Sequence, residues 1–308
     1  MRFLAERVAP LDEARSPPFP SLPGATATLR VVRIDLHAHS AVSDGTDSPA
    51  ELVGQAALAG LDVVALTDHD TFDGLDEALA AADRAGVRVL PGVELSTQLR
   101  WRSVHLLGYG CRTDDPELLA ELALIRQGRD GRIPAMLRAL AGLGMPVDPE
   151  VLARVSGSAT SIGRPHLADA LVAHGYVADR TEAFDRYLDD NGPAFVHRYA
   201  ADLADGIRLI HRAGGVAVLA HPWGRASREV LPEAELAALA AEHRLDGIEV
   251  DHNDHDPRTR AELRKVADRL GLLVTGSSDY HGTGKRDHGL GVNTTAPEVL
   301  AEIEARMA

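Results

Sequence analysis

The chain has 308 residues, with 46 acidic against 32 basic side chains and a formal net charge of −14. Hydrophobic residues at 45% are enough for a proper core, and aromatics at only 4% leave that core to Ala, Val and Leu. The acidic balance argues against a general nucleic-acid-coating protein but leaves a phosphate substrate open, because bound divalent metals reverse the local sign of a site.

Residues 1–30 hold a Pro-rich run, SPPFPSLPG, and no long apolar stretch. They read as an extended or disordered arm, with neither a signal peptide nor a membrane helix, and the expectation is a soluble cytoplasmic protein. Then short apolar or β-branched runs alternate with Ala/Leu-rich helical stretches. The runs are VVRIDL (31–36), DVVALT (62–67), VRVLPG (87–92), VHLLGY (104–109), GVAVLA (215–220), DGIEVD (246–251) and LLVTGS (272–277). Such alternation predicts parallel βαβ units. The intervening helices include PAELVGQAALAG, GLDEALAAADRAG and RTRAELRKVADRLG, and several end at Gly, as a left-handed cap requires. One connection breaks the rhythm: about a hundred residues of helical pattern separate VHLLGY from GVAVLA, far beyond an ordinary crossover. The spacing therefore predicts a core of residues 31–110 and 200–308 with an inserted helical subdomain at 111–199, placed to serve as a lid or substrate cap. The single cysteine, Cys111, excludes an intramolecular disulfide and reads as a small buried apolar residue.

Ligand-type residues mark nearly every run. Asp35-Leu36-His37-Ala38-His39 ends the first, and residues i and i+2 of a strand point the same way, so His37 and His39 can reach one metal. Thr67-Asp68-His69-Asp70 ends the second, Glu94 follows the third, His105 lies on the fourth, His221 follows the fifth, and Asp279 and His281 follow the seventh. In parallel α/β barrels the C-terminal strand ends carry the active site. Glu249, His252 and His255, around the end of the sixth run, face the same side: His252 and His255 are candidates to contact substrate and Glu249 to orient a ligand, and all three are left out of the metal set; His288 reads as peripheral.

The motifs DLHAHS with SDG (Asp44, Gly45), LTDHDTFDG, PGVELS, VHLLGY, AHP and GSSDYHG occur in the order found in the polymerase and histidinol phosphatase (PHP) superfamily, which the chain resembles over residues 33–110 and 215–292. The resemblance implies an α/β fold, a distorted (β/α)7 TIM-like barrel, and three divalent metal ions, with Mn²⁺ first and Fe²⁺, Zn²⁺ or Mg²⁺ as alternatives. It also implies a ligand division: His37, His39, Glu94 and Asp279 for one ion; Glu94, bridging, with His105 and His221 for a second; Asp44, His69 and His281 for a third. Many relatives have His at the Asp44 position. Asp followed by Gly resembles the subgroup that removes the 3′-phosphate of nucleoside 3′,5′-bisphosphates and degrades short RNA from its 5′ end.

Clustered divalent ions suit phosphate-ester hydrolysis by activated hydroxide. Asp68 and Asp70, with Asp35, are expected to orient the ligating imidazoles. Arg164 and His166 in IGRPH, then Arg198, are the expected substrate contacts. NGPAFV resembles that subgroup's GKPAYV segment but has Gly192 where Lys is expected. The expected partner is a small nucleotide or short oligoribonucleotide, with no membrane and no stable duplex binding. Three other readings compete. A binuclear amidohydrolase would often use a carboxylated Lys on a middle strand, and no Lys precedes Lys265. Histidinol-phosphate phosphatase usually lacks the long insertion. A non-catalytic PHP module that binds metal or phosphate tends to lose ligands, whereas here every expected ligand position is filled.

Overall fold

The computed structural model describes residues 31–224 and 227–307, so the expected arm at 1–30 lies outside the described residues. In chain order the elements are β1 (Ile34–Ala38), α1 (Pro49–Leu58), β2 (Val63–Leu66), α2 (Leu75–Ala85), β3 (Arg88–Leu99) and β4 (Arg102–Tyr109). The helices α3 (Pro116–Gly142), α4 (Pro149–Ser156), α5 (Arg164–Ala173) and α6 (Arg180–Ala183) follow, the last continuing into a π-helical turn at Phe184–Leu188. Then come β5 (Ala201–Asp202), α7 (Leu203–Arg212), β6 (Val216–Leu219), α8 (Glu233–His243), β7 (Gly247–Asp251), α9 (Pro257–Leu270), β8 (Leu273–Gly276) and α10 (Pro297–Arg306).

Local chemistry sets these boundaries. Ser48 and Glu51 form a reciprocal capping box ahead of Pro49 at the start of α1, while Asp115 and Asp256 accept backbone N–H groups at the starts of α3 and α9. Gly86 and Gly271 close α2 and α9 in the left-handed conformation (φ 66° and 65°), as their place in the sequence predicts.

Seven strands run in the order β1-β2-β3-β4-β6-β7-β8, and the short β5 pairs with β3. A parallel bridge between Ala38 and Tyr280, just past β8, nearly closes this sheet into a barrel. The expectation of parallel pairing holds for β1–β2–β3 and β6–β7–β8 and fails at β4, which is antiparallel to both neighbours. Only Arg100 and Trp101 separate β3 from β4, and a parallel return needs a crossover of about a dozen residues. Because β4 is reversed, its N-terminal half lies at the end where the other strands finish, and His105 sits in that half.

Three apolar clusters fix the barrel. One packs Leu52, Val53 and Ala78 of α1 and α2 on Val64 and Val89. A second packs α7, α8 and α9 through Ile207, Ile210, Leu236 and Leu263 on Leu95, Leu106 and Ile248. A third joins Ile34, Leu36, Leu107 and Val218 to Leu300 and Ile303 of α10. The helices between β4 and β5 bury a further cluster of their own, with Met136, Leu140, Leu152, Leu167 and Leu188. Both regions belong to one compact unit from Val32 onward. Cys111 is buried against Gly215 and Gly108, its thiol pushed up to about 12 by burial, as fits an inert packing residue. Among the described residues, no helix is long and apolar enough to cross a membrane.

Gly192 has a packing reason. Its N–H donates to the Asp189 carbonyl at 2.7 Å in a tight turn, and a Cβ there would collide with the Tyr187 carbonyl, which already accepts from Ala194. Gly192→Lys is therefore expected to lower stability by about 1–3 kcal/mol in urea unfolding rather than add a phosphate contact; unchanged stability would contradict the turn's requirement.

Candidate metal centre and its cavity

The nine predicted ligands converge. His37 is on β1, His39 just beyond it, Asp44 in the following loop, His69 after β2, Glu94 on β3, His105 on β4, His221 after β6, and Asp279 and His281 after β8. Glu94 Oε2 lies 3.3 Å from His37 Nε2, 3.1 Å from His39 Nε2 and 3.1 Å from His69 Nδ1. Its Oε1 lies 2.8 Å from His105 Nδ1 and 3.5 Å from His221 Nε2. Asp279 Oδ1 is 3.5 Å from His37 Nε2, from His39 Nε2 and from His281 Nδ1. Asp44 reaches His281 Nε2 at 3.3 Å and His69 Nε2 at 3.6 Å. Three groups of these residues bring ligand-type atoms close enough to share a cation: His37, His39 and Asp279; His39, Asp44, His69 and His281; and His69, Glu94 and His105. The expected division is thus blurred, since His39 also faces the Asp44 group and His69 also faces Glu94.

The donor set fits cations. The Nε2 atoms of His37 and His39 face each other at 3.0 Å, His39 Nδ1 is buried with no hydrogen-bond partner, and His69 Nδ1 lies beside Glu94 Oε2 without hydrogen-bond geometry. Lone pairs aimed at one another away from water are costly unless a positive charge sits among them. The carboxylates are ready to supply the balance. Burial alone would raise Glu94, Asp44 and Asp279, yet the neighbouring imidazoles, with Lys285 beside Asp279, hold all three well below the ordinary range. Backbone is strained where it turns these groups inward: Asp70, His221 and Asp279 have φ of 58°, 29° and 52°.

Of the carboxylates expected to orient the ligands, Glu249 reaches an imidazole and the aspartates do not. Neither Asp68 nor Asp70 is bonded to an imidazole. Asp68 accepts from Ser40 N–H at 2.8 Å and from the Ser40 and Ser43 hydroxyls at 2.6 Å each, tying down the loop that carries Asp44. Asp70 accepts from Ser96 N–H at 2.7 Å and pairs with Arg129. Asp35 accepts backbone N–H groups of Gly291 and Ser278. These aspartates sit where turns present N–H groups, and the turns claim them. The carboxylate that reaches an imidazole is Glu249 on β7: it lies 3.3 Å from His37 Nδ1 and accepts from His221 N–H at 2.8 Å and from the Ser277 hydroxyl. With Nδ1 donating to Glu249, His37 turns the Nε2 lone pair toward Glu94 and Asp279.

His252, Asp279 and His288 form another buried group with ligand-type atoms close together. The hydrogen bonds assign His252 a different task. Its Nδ1 accepts from the Asp254 N–H at 3.0 Å, so Nε2 carries the proton and donates to Asp279 Oδ2 at 3.2 Å. Lys285 bonds the same oxygen, which leaves Oδ1 to face His37 and His39. His255 is buried and bonded to the Val250 carbonyl.

The centre opens into a cavity of about 1160 Å³ whose walls include Asp44, His69, His221, Arg129, Arg132, Arg164 and Arg198. Arg164 is half-buried, pairs with Asp190 at 2.8 Å and lies over the rings of Phe184 and Phe195. His166 is buried and accepts from the Gly163 N–H, capping its own helix. Arg198 donates to the Tyr199 carbonyl and feels Asp70; burial and the charges of Arg129 and Arg164 bring it down to about 10. The cavity residues missed from sequence include two arginines of α3. Arg129 and Arg132 occupy the buried stripe of α3 with Leu122, Ile125, Met136 and Leu140. Arg132 is 8% exposed, its Nε has no partner, and burial with the like charges of Arg164, Arg198 and Arg129 brings it down to about 8. An Arg at a core position of an amphipathic helix was the available signal. Arg180 clamps Asp169 through two bonds of 2.6 Å and donates to the Asp44 carbonyl at 3.2 Å, joining α6 to the loop of the centre.

A barrel whose strand ends pool imidazoles and carboxylates beside an arginine-lined cavity is the construction of a metal-dependent phosphoesterase. Residues 35–131 match the PHP domain family. The chain is 36% identical over 283 residues to a "3′,5′-nucleoside bisphosphate phosphatase" of Chromobacterium violaceum, covering 90% of this chain and 98% of that protein. It is 39% identical over 255 residues to a "5′-3′ exoribonuclease" of Haemophilus influenzae, covering 81% and 90%. A crystal structure of a Bifidobacterium adolescentis protein, described as a metal-dependent phosphoesterase, superposes with a TM-score of 0.85 at 35% identity, covering 91% of this chain and 98% of that one. The chain belongs to the PHP family of metal-dependent phosphoesterases.

Two outcomes follow from this geometry. Glu249→Gln should weaken Mn²⁺ affinity about 10–100-fold in a calorimetric titration, since the partner of a ligating imidazole is removed; unaltered affinity would contradict its orienting role. The second concerns pH. Burial would lower His39, but Asp279, Glu94 and Asp44 raise it to about 9. Its folded value lies above the unfolded one, so its contribution to the metal-free protein is complete below about pH 6.5 and disappears as pH rises through about 9. Chelator-treated protein should therefore lose thermal stability between those values. Adding Mn²⁺ near pH 8 should release protons and flatten the profile; a metal titration with no proton release would count against these ligands.

Proposed function

We propose that the protein hydrolyses phosphate esters of small nucleotides, removing the 3′-phosphate of nucleoside 3′,5′-bisphosphates to leave the 5′-monophosphate, and that it also shortens 5′-phosphorylated RNA. The observation that carries this reading is one cavity that joins the ligand nest, which attracts anions once cations fill it, to the cluster of Arg132, Arg164, Arg198 and Arg129, in which Arg132 keeps a buried Nε without a partner. A substrate with two phosphates satisfies both. The names of the Chromobacterium and Haemophilus relatives support the same substrate class.

In this reading His37, His39, Asp44, His69, Glu94, His105, His221, Asp279 and His281 hold three divalent ions, Mn²⁺ first, with Fe²⁺, Zn²⁺ or Mg²⁺ as alternatives. Such ions, when bound, polarise the phosphoryl oxygens and lower the pKa of the attacking water. The chain does the rest. Glu249 and His252 set the directions of His37 and Asp279; Asp68 holds the Asp44 loop. Arg132 and Arg164 bind the phosphate that does not react and so place the scissile one in line. Water adds to phosphorus, the bond from phosphorus to the ribose 3′ oxygen breaks, that oxygen leaves as the hydroxyl with the proton the water gives up, and no covalent enzyme intermediate is needed. The helices of residues 111–199, which bring Arg132 and Arg164, serve as the substrate cap.

With Mn²⁺ supplied, adenosine 3′,5′-bisphosphate should release phosphate faster than histidinol phosphate does, and a short 5′-phosphorylated RNA should be trimmed. Exclusive turnover of histidinol phosphate would overturn the nucleotide reading, and full activity in His39→Ala would overturn the metal mechanism. Arg132→Leu should raise KM for the bisphosphate about 10–100-fold, the loss of one charge-assisted hydrogen bond to phosphate, while a monophosphate substrate is affected less; an equal effect on both would remove Arg132 from the second-phosphate site.

A further inference from the structure

Trp101 stands at the tip of the β3–β4 hairpin and is 78% exposed, the most exposed aromatic among the described residues, with Tyr199 next at 48%. It lines the mouth of the same cavity, along with Gln98, Ser103 and His197. The turn that presents it is strained. Arg100 and Trp101 both take left-handed backbone, φ 50° and 67°, between the paired residues Leu99 and Arg102. Two-residue turns of this hand ordinarily use Asn and Gly, because a side chain in that conformation is unfavourable. Here the two positions carry a long cation and the largest side chain. Arg100 is tied to Glu235 of α8, which anchors the tip. Burial does not account for the indole, so neither packing nor turn chemistry explains it, and strain held in this way clusters at ligand clamps.

We infer that Trp101 is a stacking platform for a base of a short single-stranded oligonucleotide, at a nucleotide beyond the one whose phosphate reacts; this rests on the proposed nucleotide phosphoesterase function. Position sets which base. Four residue steps along β4 carry the chain from Trp101 to His105, a span of about 13 Å at strand rise. Stacked nucleotides advance about 3.4 Å each. The platform is therefore out of register with a mononucleotide seated on the centre and suits a base a few steps along a chain. The cavity's arginines would follow the backbone, and an indole face accepts any base, the combination used to bind single strands without reading sequence.

The test compares wild type, Trp101→Ala and Trp101→Phe on adenosine 3′,5′-bisphosphate and on a 5′-phosphorylated pentaribonucleotide with Mn²⁺. Trp101→Ala should raise KM for the pentanucleotide about tenfold with kcat little changed, leave the bisphosphate unaffected, and be largely rescued by Phe. Equal losses on both substrates, or no loss on either, would overturn the platform. Binding provides a separate readout. The chain has two tryptophans, so Trp223→Phe protein reports Trp101 alone. Its fluorescence should be quenched by the pentanucleotide and not by an abasic one of equal length. Quenching without hydrolysis of either substrate would sink the proposed function and keep the platform; hydrolysis with no quenching would do the reverse.

Discussion

One carboxylate organises this protein. Glu94 is almost fully buried and faces five imidazoles, His37, His39 and His69 through one oxygen and His105 and His221 through the other. Those five come from β1 and its exit, the exits of β2 and β6, and β4. No local segment could bring them together, so the nest exists only when the barrel is nearly closed. Burying so many ionisable groups is expensive unless each charge is matched. The lowered Glu94 and the raised His37 and His39 express that matching where protons supply the charge, while burial lowers His69; divalent cations supply it better, because one ion meets several ligands at once.

The barrel meets this demand with one departure from parallel order. Reversing β4 through a two-residue turn brings His105 to the ligand rim from the N-terminal half of its strand. The same turn projects Trp101 beyond the rim. In the proposed reading a tight hairpin serves chemistry on one side and substrate reach on the other, which is a reason for a strained turn to persist where a parallel crossover would have carried neither residue.

Much of the centre was legible because its signal is local. His37 and His39 alternate on a strand, and His69, His221, Asp279 and His281 follow strand ends, so position in a short run foretells direction in space. The orienting residues were less legible. Asp68 and Asp70 flank a ligand in sequence yet bond to turns, while Glu249, far from His37 in the chain, is the one that reaches it. Adjacency along the chain is a poor guide there because the neighbours of a strand-end ligand point into loops. The reversal of β4 was not legible, because the apolar runs at 87–92 and 104–109 leave eleven residues between them, and the two-residue turn exists only because β3 continues to Leu99. Arg129 and Arg132 were hidden inside a helix whose apolar stripe looks like ordinary packing until the cavity beside it is seen.

Arg132 also resolves the mismatch between an acidic chain and an anionic substrate. The excess of carboxylates lies in the whole sequence, whereas the cavity gathers Arg129, Arg132, Arg164 and Arg198. Asp70 matches Arg129 and Asp190 matches Arg164, whereas Arg132 donates to the Val196 carbonyl at 3.5 Å, and both Arg129 and Arg132 keep a buried Nε without a partner. Crowding guanidiniums in this way is unfavourable for folding alone, and an apolar residue on the α3 stripe would relieve it. A charge kept at that position makes sense if an anion completes it. Arg180, clamped to Asp169 and bonded to the Asp44 carbonyl, then links the two halves of the site, since the helical segment that supplies the arginines is fastened to the loop that supplies a ligand. The spacing between anion site and ligand nest is thereby set by the fold, and with it the length of substrate that can engage both.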